Sequence, residues 1–236
     1  MHKILIIIPT YNESLNIKKI VDIIITIDEA YNILVVDDNS PDNTHGIVNK
    51  ISQQNNRVHL IKRNSKSGIG TAYCTGFEYA IKNKYDKVVQ IDADLSHNPK
   101  DIPMLIKHSM NFDLVIGSRY LNGISIINWP LSRLILSYTA NLYARIFTNM
   151  KIKDCTGGFK CFNIDVLKKI SFKNINSQGY SFQIEINYLT YKNNFKIKEV
   201  PIIFTDRTVG ESKMSKKIIV EAIFLVPFLR FKNIFK

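Results

Sequence analysis

Short apolar runs alternate along the first half of the chain with longer stretches in which apolar residues return every three or four positions. Ile4-Leu5-Ile6-Ile7-Ile8 reads as a buried strand, and the spacing from Asn12 or Ser14 to about Thr26 predicts an amphipathic helix. Ile33-Leu34-Val35-Val36-Asp37 is a second strand, followed by the turn Asp38-Asn39-Ser40-Pro41-Asp42 and a helix from about Thr44. Val58 to Ile61 is a third strand, and Gly68 and Gly70 open a helix running to about Asn83. Lys87 to Ile91 and Leu114 to Gly117 are a fourth and a fifth strand. Strands that are apolar throughout and separated by helices imply an α/β fold with a mostly parallel sheet covered on both faces. The second half reads differently: a long helix from Trp129 to Met150, another from Ser181 to Tyr191, an extended stretch from Phe195 to Phe204, and a basic amphipathic helix from Lys216 to Phe231.

In such sheets ligands sit beyond the carboxyl ends of the strands. The polar residues gather there, at Thr10 to Glu13, Asp37 to Asp42 and Asp92 to His97. Asp92 and Asp94 flank Ala93, and two carboxylates at i and i+2 of an extended segment can point at one hard cation. Mg²⁺ or Mn²⁺ suits oxygen ligands, with phosphate oxygens completing the shell. The same spacing also arises in solvated loops, and it is the strand-end position that favours the metal. Tyr11 can stack on a base and Glu13 can accept hydrogen bonds from base or ribose, although the same residues serve a turn and a helix N-terminus equally well.

The 236 residues suffice for one α/β domain or at most two small ones. No apolar run approaches the ~20 residues that span a bilayer; the longest, Ile218 to Leu229, is broken by Glu221 and Pro227. Pro9 and a polar stretch follow the first apolar run too soon for a signal peptide, so a cytoplasmic protein is expected. Three cysteines, Cys74, Cys155 and Cys161, form no disulfide or zinc pattern and read as buried thiols. The net charge of +12 favours acidic partners such as phosphates, anionic lipid or nucleic acid. Nucleic acid is disfavoured, because the lysines are scattered and the acids occupy the strand ends.

Seven segments, taken together and in order, carry a resemblance. They are Pro9-Thr10-Tyr11-Asn12-Glu13, Val36-Asp37-Asp38-Asn39-Ser40-Pro41-Asp42, Gly68-Ile69-Gly70-Thr71-Ala72, Asp92-Ala93-Asp94-Leu95-Ser96-His97, Gly117-Ser118-Arg119-Tyr120, Trp129-Pro130-Leu131-Ser132-Arg133 and Arg207-Thr208-Val209-Gly210-Glu211-Ser212-Lys213. The set is similar to family-2 glycosyltransferases of the GT-A fold, and within them it resembles dolichol- or polyprenol-phosphate mannose synthases. The resemblance implies a GT-A domain over residues 1–213, Rossmann-like, followed by a C-terminal amphipathic helix over 214–236. It implies that Pro9, Tyr11, Glu13, Val36 and Asp38 line the nucleoside pocket, and that Asp92, Ala93 and Asp94 contact the donor. The metal, Mg²⁺ or Mn²⁺, would be held by Asp92, Asp94 and Ser96; some relatives carry Gln at the position of Ser96, and serine is a weaker ligand. Arg207 and Lys213 would neutralise donor phosphates, and Arg119, Arg133 and Ser137 would hold the acceptor phosphate. Asp94, Arg119, Arg207 and Lys213 are then the residues expected to carry catalysis.

The implied reaction moves mannose from GDP-mannose to a polyprenyl or dolichyl phosphate, with inversion at the anomeric carbon. UDP-glucose or another donor is the nearest rival. A polysaccharide glycosyltransferase is another, but it would need a base, and Asp154 is the one candidate in sight. Two features bear on the lipid. Arg133, Ser137, Asn141 and Arg145 recur at i, i+4 steps beside Leu131, Leu134, Tyr138 and Leu142, which fits either a phosphate and its prenyl chain or a helix packed on the core. The last helix, flanked by Lys213, Lys216, Lys217, Arg230, Lys232 and Lys236, fits an interfacial anchor on the cytoplasmic face of a membrane, or docking on the core or on a membrane-anchoring protein partner.

Overall fold

The computed structural model describes residues 2–170, 172, 175, 177–206 and 216–231, with the backbone alone for 216–220. Its centre is a seven-stranded sheet of order β3-β2-β1-β4-β7-β5-β8. The strands are β1 (Ile4–Thr10), β2 (Tyr31–Asp37), β3 (Val58–Lys62), β4 (Lys87–Gln90), β5 (Leu114–Ser118), β7 (Lys160–Asn163) and β8 (Ile197–Pro201). A two-stranded pair, β6 (Ile126–Ile127) with β9 (Phe204–Thr205), stands apart. The expected parallel α/β sheet is present, with one exception. β7 runs antiparallel between β4 and β5, pairing Gln90 with Lys160 and Ile116 with Lys160 on its two sides. β6, a helix over Leu131–Thr148 and the loop 149–159 join β5 to β7 and deliver the chain to β7 in the reverse direction.

Two apolar layers cover the sheet. On one face α1 (Ile17–Ile27) buries Ile17, Ile20, Val21 and Ile24, the i, i+3, i+4, i+7 positions of its sequence pattern, against Ile6, Ile8 and Val35. This face also receives α2 (Thr44–Gln54) through Val48 and α4 (Ile102–His108) through Ile102 and Leu105. On the other face α3 (Ile69–Lys82), α6 (Ile164–Lys169) and α7 (Gly179–Lys192) pack Tyr73, Phe77, Val166, Leu167, Phe182 and Ile186 onto Leu5, Ile7, Leu34 and Val88. The three cysteines are unpaired thiols, as expected; burial pushes Cys155 up to about 12 and Cys161 to about 11.

α5 (Leu131–Thr148) and α8 (Lys216–Phe231) lie together over one end of the second layer. α8 sets Val226 and Leu229 into the core, and its backbone accepts the Tyr143 hydroxyl at Ile223 O (2.7 Å). Glu221 accepts the Gln178 amide at the start of α7 (3.0 Å), and Arg230 donates to Phe147 O near the end of α5. The C-terminal helix is thus docked on the core, with Ile223, Phe224, Phe228 and Phe231 on its exposed side. α5 turns the middle of its polar stripe inward, where the buried Asn141 donates to Thr156 Oγ1 and accepts from Thr156 N, while Arg145 at its end is exposed. Its apolar stripe, Leu131, Ile135, Tyr138, Leu142 and Ile146, is exposed by 45–69%.

Two loops position the site. The β2–α2 turn holds the β1–α1 loop from beneath: Asn12 N donates to Ser40 Oγ, Glu13 N to Thr44 Oγ1 and Ser14 N to Asp42 Oδ2, at 2.9–3.0 Å. Asp37 is fully buried and accepts from the Thr10 and Ser40 hydroxyls, so it serves this loop pairing. At the start of α3, Gly68 has φ +93° and Gly70 lies against the 177–178 backbone. A Cβ on Gly70 would sit 2.7 Å from Ser177 O, so glycine is what lets α3 approach α7.

Candidate active site

The carboxyl ends of β1, β2 and β4 open into a cleft of about 340 Å³. Pro9, Tyr11, Glu13 and Asp38 line one end, Asp92, Ala93, Asp94 and Ser96 the middle, and Arg119 and Arg133 the other end. One assigned residue does not belong. Val36 is fully buried in the core layer beneath α3 and does not line the cleft, because alternation along β2 turns its side chain toward that layer. Arg207 and Lys213 lie outside the described residues.

At the nucleoside end the Lys66 ammonium stands 4.1 Å from the centroid of the Tyr11 ring. Asp38 has its carboxylate taken up structurally: it accepts from the Arg63 guanidinium, from Ser67 N (3.1 Å) and from Gly68 N (3.2 Å). Arg63 in turn donates to Thr71 Oγ1 and Gly68 O. Asp38 therefore shapes the pocket by fixing the 63–68 segment, and it brings Lys66 over the cleft. Lys66, Gln178, Tyr180 and Gln183 are lining residues that sequence reasoning missed.

In the middle, Tyr73 on α3 donates to Asp92 Oδ1 (3.2 Å), and the Asp94 carboxylate accepts Ser96 N (3.1 Å). Leu95 between them adopts φ +61°, a left-handed conformation costly for a branched side chain and a recurrent mark of functional loops. The donor set fits a hard cation. Ser96 Oγ and His97 Nδ1 are buried polar atoms of cleft-lining residues with no hydrogen-bond partner among the described residues. His97 Nδ1 lies 3.8 Å from Asp92 Oδ2, and burial pulls the imidazole down to about 4, so it is neutral at pH 7 and able to accept. No group of three or more His, Cys, Asp or Glu converges among the described residues. Asp92 and Asp94 would thus hold a cation together with oxygens brought by the ligand. Removing the Tyr73 hydroxyl in Tyr73→Phe keeps the ring packed on Phe182 but takes one hydrogen bond from Asp92 Oδ1. Mn²⁺ titrated in the presence of nucleoside diphosphate and read by electron paramagnetic resonance is expected to bind about 3- to 10-fold more weakly, the loss of one hydrogen bond.

At the far end Arg119 lines the cleft while its guanidinium is engaged within the protein. It is 3% exposed and makes a bidentate pair with the fully buried Asp154, through Nε and Nη2 at 2.7 Å each, with a third bond to Thr156 Oγ1. Burial opposes both charges, yet each outweighs it for the other: Arg119 rises above its ordinary value, and Asp154 falls below the usual carboxylate range. Asp154 is accordingly an anchored carboxylate, not a poised base.

Arg133 sits where the cleft meets a second cavity, also about 340 Å³. Its guanidinium stacks 4.1 Å from Trp129 and donates to Asp206 at 2.9 and 3.0 Å. The second cavity is an apolar groove between α5, α7 and α8, lined by Leu136, Ala140, Tyr143, Ile184, Ala222 and Val226. Trp129, Arg133, Thr156 and Tyr180 line both spaces. Ser137 lines the groove alone and accepts the Tyr120 hydroxyl (2.8 Å), which leaves its own proton for a ligand.

Known proteins bear on this geometry. The chain is 42% identical over 224 residues to the polyprenol monophosphomannose synthase of Mycolicibacterium smegmatis, covering 94% of this chain and 84% of the relative. It is 39% identical over 225 residues to the undecaprenyl-phosphate mannosyltransferase of Micrococcus luteus, covering 94% and 91%. The glucosyl-3-phosphoglycerate synthase of Mycobacterium tuberculosis in complex with phosphoglyceric acid has the same fold, with a TM-score of 0.73 at 16% identity over 98% of this chain and 80% of that one. The same enzyme with Mn²⁺, uridine diphosphate and glucosyl-3-phosphoglycerate gives a TM-score of 0.72, also at 16% identity and with the same coverage. The model of glycosyl transferase family 2 matches residues 5–171, the span that holds the sheet through β7, both carboxylates and the Arg119–Asp154 pair. Its site and its length of match agree, and the chain belongs to glycosyl transferase family 2.

Proposed function

We propose that the protein transfers mannose from GDP-mannose to a polyprenyl phosphate. One observation carries the reading: a cleft lined by the Asp92 and Asp94 carboxylates opens, past Arg133, into an apolar groove. That junction suits an acceptor with an anionic head and a hydrocarbon tail. The names of the two curated relatives supply the sugar and the lipid. The nucleoside would lie at Tyr11, Glu13 and Lys66, and the prenyl chain in the groove between α5, α7 and α8. Mg²⁺ or Mn²⁺ held by Asp92 and Asp94, with Ser96 beside them, would supply positive charge to the leaving diphosphate. Arg207 and Lys213 are assigned to the same charge.

In the reaction a phosphate oxygen of the acceptor forms a bond to the anomeric carbon as the bond to the nucleoside diphosphate breaks, inverting the centre. The acceptor oxygen is already ionised near neutral pH, so no protein base is needed. This agrees with Asp154 being tied to Arg119. Arg133 and Ser137 would orient the attacking phosphate, and Trp129 stiffens Arg133 by stacking.

No described helix is long and apolar enough to cross a membrane. Yet α5 exposes its five-residue apolar stripe, and α8 beside it exposes Ile223, Phe224, Phe228 and Phe231 by 48–73%. Two neighbouring helices presenting such a surface, with the groove between them, suit a protein lying on a bilayer surface while its acceptor remains partly in lipid.

The test is a panel of radiolabelled nucleotide sugars, GDP-mannose and UDP-glucose included, incubated with a short polyprenyl phosphate. Label is expected in the organic phase with GDP-mannose and a divalent cation. Transfer from UDP-glucose alone would reassign the donor. Arg133→Ala is expected to raise the KM for polyprenyl phosphate about 10- to 100-fold with little change in the donor KM, the signature of a lost charged contact to the acceptor. A change confined to the donor KM would move Arg133 out of the acceptor site.

A further inference from the structure

Between the carboxylates and the junction at Arg133 lies the stretch of cleft in which a transferred sugar must sit, and one side chain there is held in a single orientation. Gln183, on α7, lines the cleft and is 4% exposed. One turn earlier on the same helix face is Tyr180, which lines both the cleft and the groove. On the other side, Gly158 adjoins both Gln183 and Asp92: a Cβ built on it would stand 3.6 Å from Gln183 Nε2 and 3.5 Å from Asp92 Oδ2. Gln183 thus bridges the space from the cation-binding carboxylate to the acceptor end.

Beneath it lies Lys160, on the inserted strand β7, with no exposed surface. Its ammonium donates to Gln183 Oε1 at 2.5 Å and to Gln183 O at 3.3 Å. Burial pulls Lys160 down to about 7, and in its ammonium form, which the nearby Asp154 and Asp92 carboxylates favour, it has only protons to give, so the amide oxygen faces Lys160 and the amide NH₂ faces away from it, on the side of Gly158 and Asp92. A glutamine without such a partner could present either end. Burying a lysine to fix one amide is costly unless the orientation matters.

We propose that the Gln183 amide donates a hydrogen bond to a hydroxyl of the transferred hexose, and that Lys160 is the positioning residue that makes it a donor. The inference rests on the reading of the protein as a sugar transferase and names a group that reads the sugar itself. A site built around a donor discriminates against a sugar lacking the matching oxygen more strongly than an apolar wall does.

The experiment measures equilibrium binding of GDP, GDP-mannose and the 2-, 3-, 4- and 6-deoxy analogues of GDP-mannose, with Mn²⁺, to the full chain and its variants. For the unaltered protein one deoxy analogue is expected to bind about 10- to 100-fold more weakly than GDP-mannose. In Gln183→Met that analogue and GDP-mannose should bind alike, with GDP unchanged. Gln183→Glu provides a second variant of native size, able to accept from Lys160 but without the NH₂, and should lose the same discrimination. Lys160→Met should lose part of it, because the amide is then free to turn. Discrimination retained in both Gln183 variants, or a loss shared equally by GDP, overturns the proposal. Discrimination retained in Lys160→Met overturns the positioning role alone. If the unaltered protein does not bind GDP-mannose, the donor assignment fails, and the same series is then run on deoxy analogues of the sugar nucleotide that it does transfer.

Discussion

Asp94→Ala is expected to lower sugar transfer by about 10³-fold or more while the fold survives, the consequence of withdrawing some 4 kcal/mol of charge stabilisation from the leaving diphosphate. The Asp94 carboxylate lines the cleft, accepts the Ser96 amide and belongs to neither apolar layer of the core, so the variant is expected to fold. Circular dichroism and thermal melting should match the unaltered protein. Mn²⁺ binding with nucleoside diphosphate should fall in step with transfer. Full transfer by the folded variant would remove the carboxylate pair from the chemistry. Ser96→Gln is the informative companion, since it installs the longer amide ligand of some relatives beside the same two carboxylates.

Asp154→Ala should act on stability first. It strands the Arg119 guanidinium at 3% exposure with Thr156 Oγ1 as its remaining hydrogen-bond acceptor among the described residues. Breaking a buried pair by removing one partner costs about 3–5 kcal/mol. In a domain of this size that corresponds to a fall in melting temperature of roughly 10 °C. Arg119→Met with Asp154→Leu replaces both charges by apolar side chains and is expected to recover most of the loss. Transfer by this double variant then separates two roles for Arg119. Stability regained without transfer gives Arg119 a contact with phosphate besides its bond to Asp154. Stability regained with transfer leaves Arg119 as part of the scaffold, and the acceptor phosphate to Arg133 and Ser137.

The parallel part of the fold was legible because its strands are apolar on both faces and its helices repeat every 3.6 residues; α1 buries the very positions its sequence marks. The cleft was legible for the same reason, since strand ends are where such sheets carry chemistry. β7 was not. Lys160-Cys161-Phe162-Asn163 is four residues long and begins with a lysine that is fully buried and donates to Gln183. Lys66 comes from a segment more than a hundred residues before Gln178 and Gln183 at the start of α7, and their convergence on the cleft follows from packing that no local pattern encodes. Val36 was misassigned because a resemblance names positions and not the direction of a side chain on a strand. α5 has an amphipathic pattern that reads correctly as periodicity, but periodicity does not say which face meets the core. Here the inward polar stripe has Thr156 and Tyr120 as partners, so the apolar stripe is left outside.

The side-chain clasp between the β2–α2 turn and the β1–α1 loop has a further consequence. In dinucleotide-binding sheets the first βα loop is glycine-rich, and its free amides, backed by the helix dipole, cradle pyrophosphate. Here the amides of Asn12, Glu13 and Ser14 already donate to Ser40, Thr44 and Asp42. The anion-binding capacity of that loop is spent internally, and a diphosphate entering this cleft finds no amide nest at the first strand. Its charge has to be met further along the sheet, at the fourth strand, where Asp92 and Asp94 can recruit a cation that the first loop would have made unnecessary.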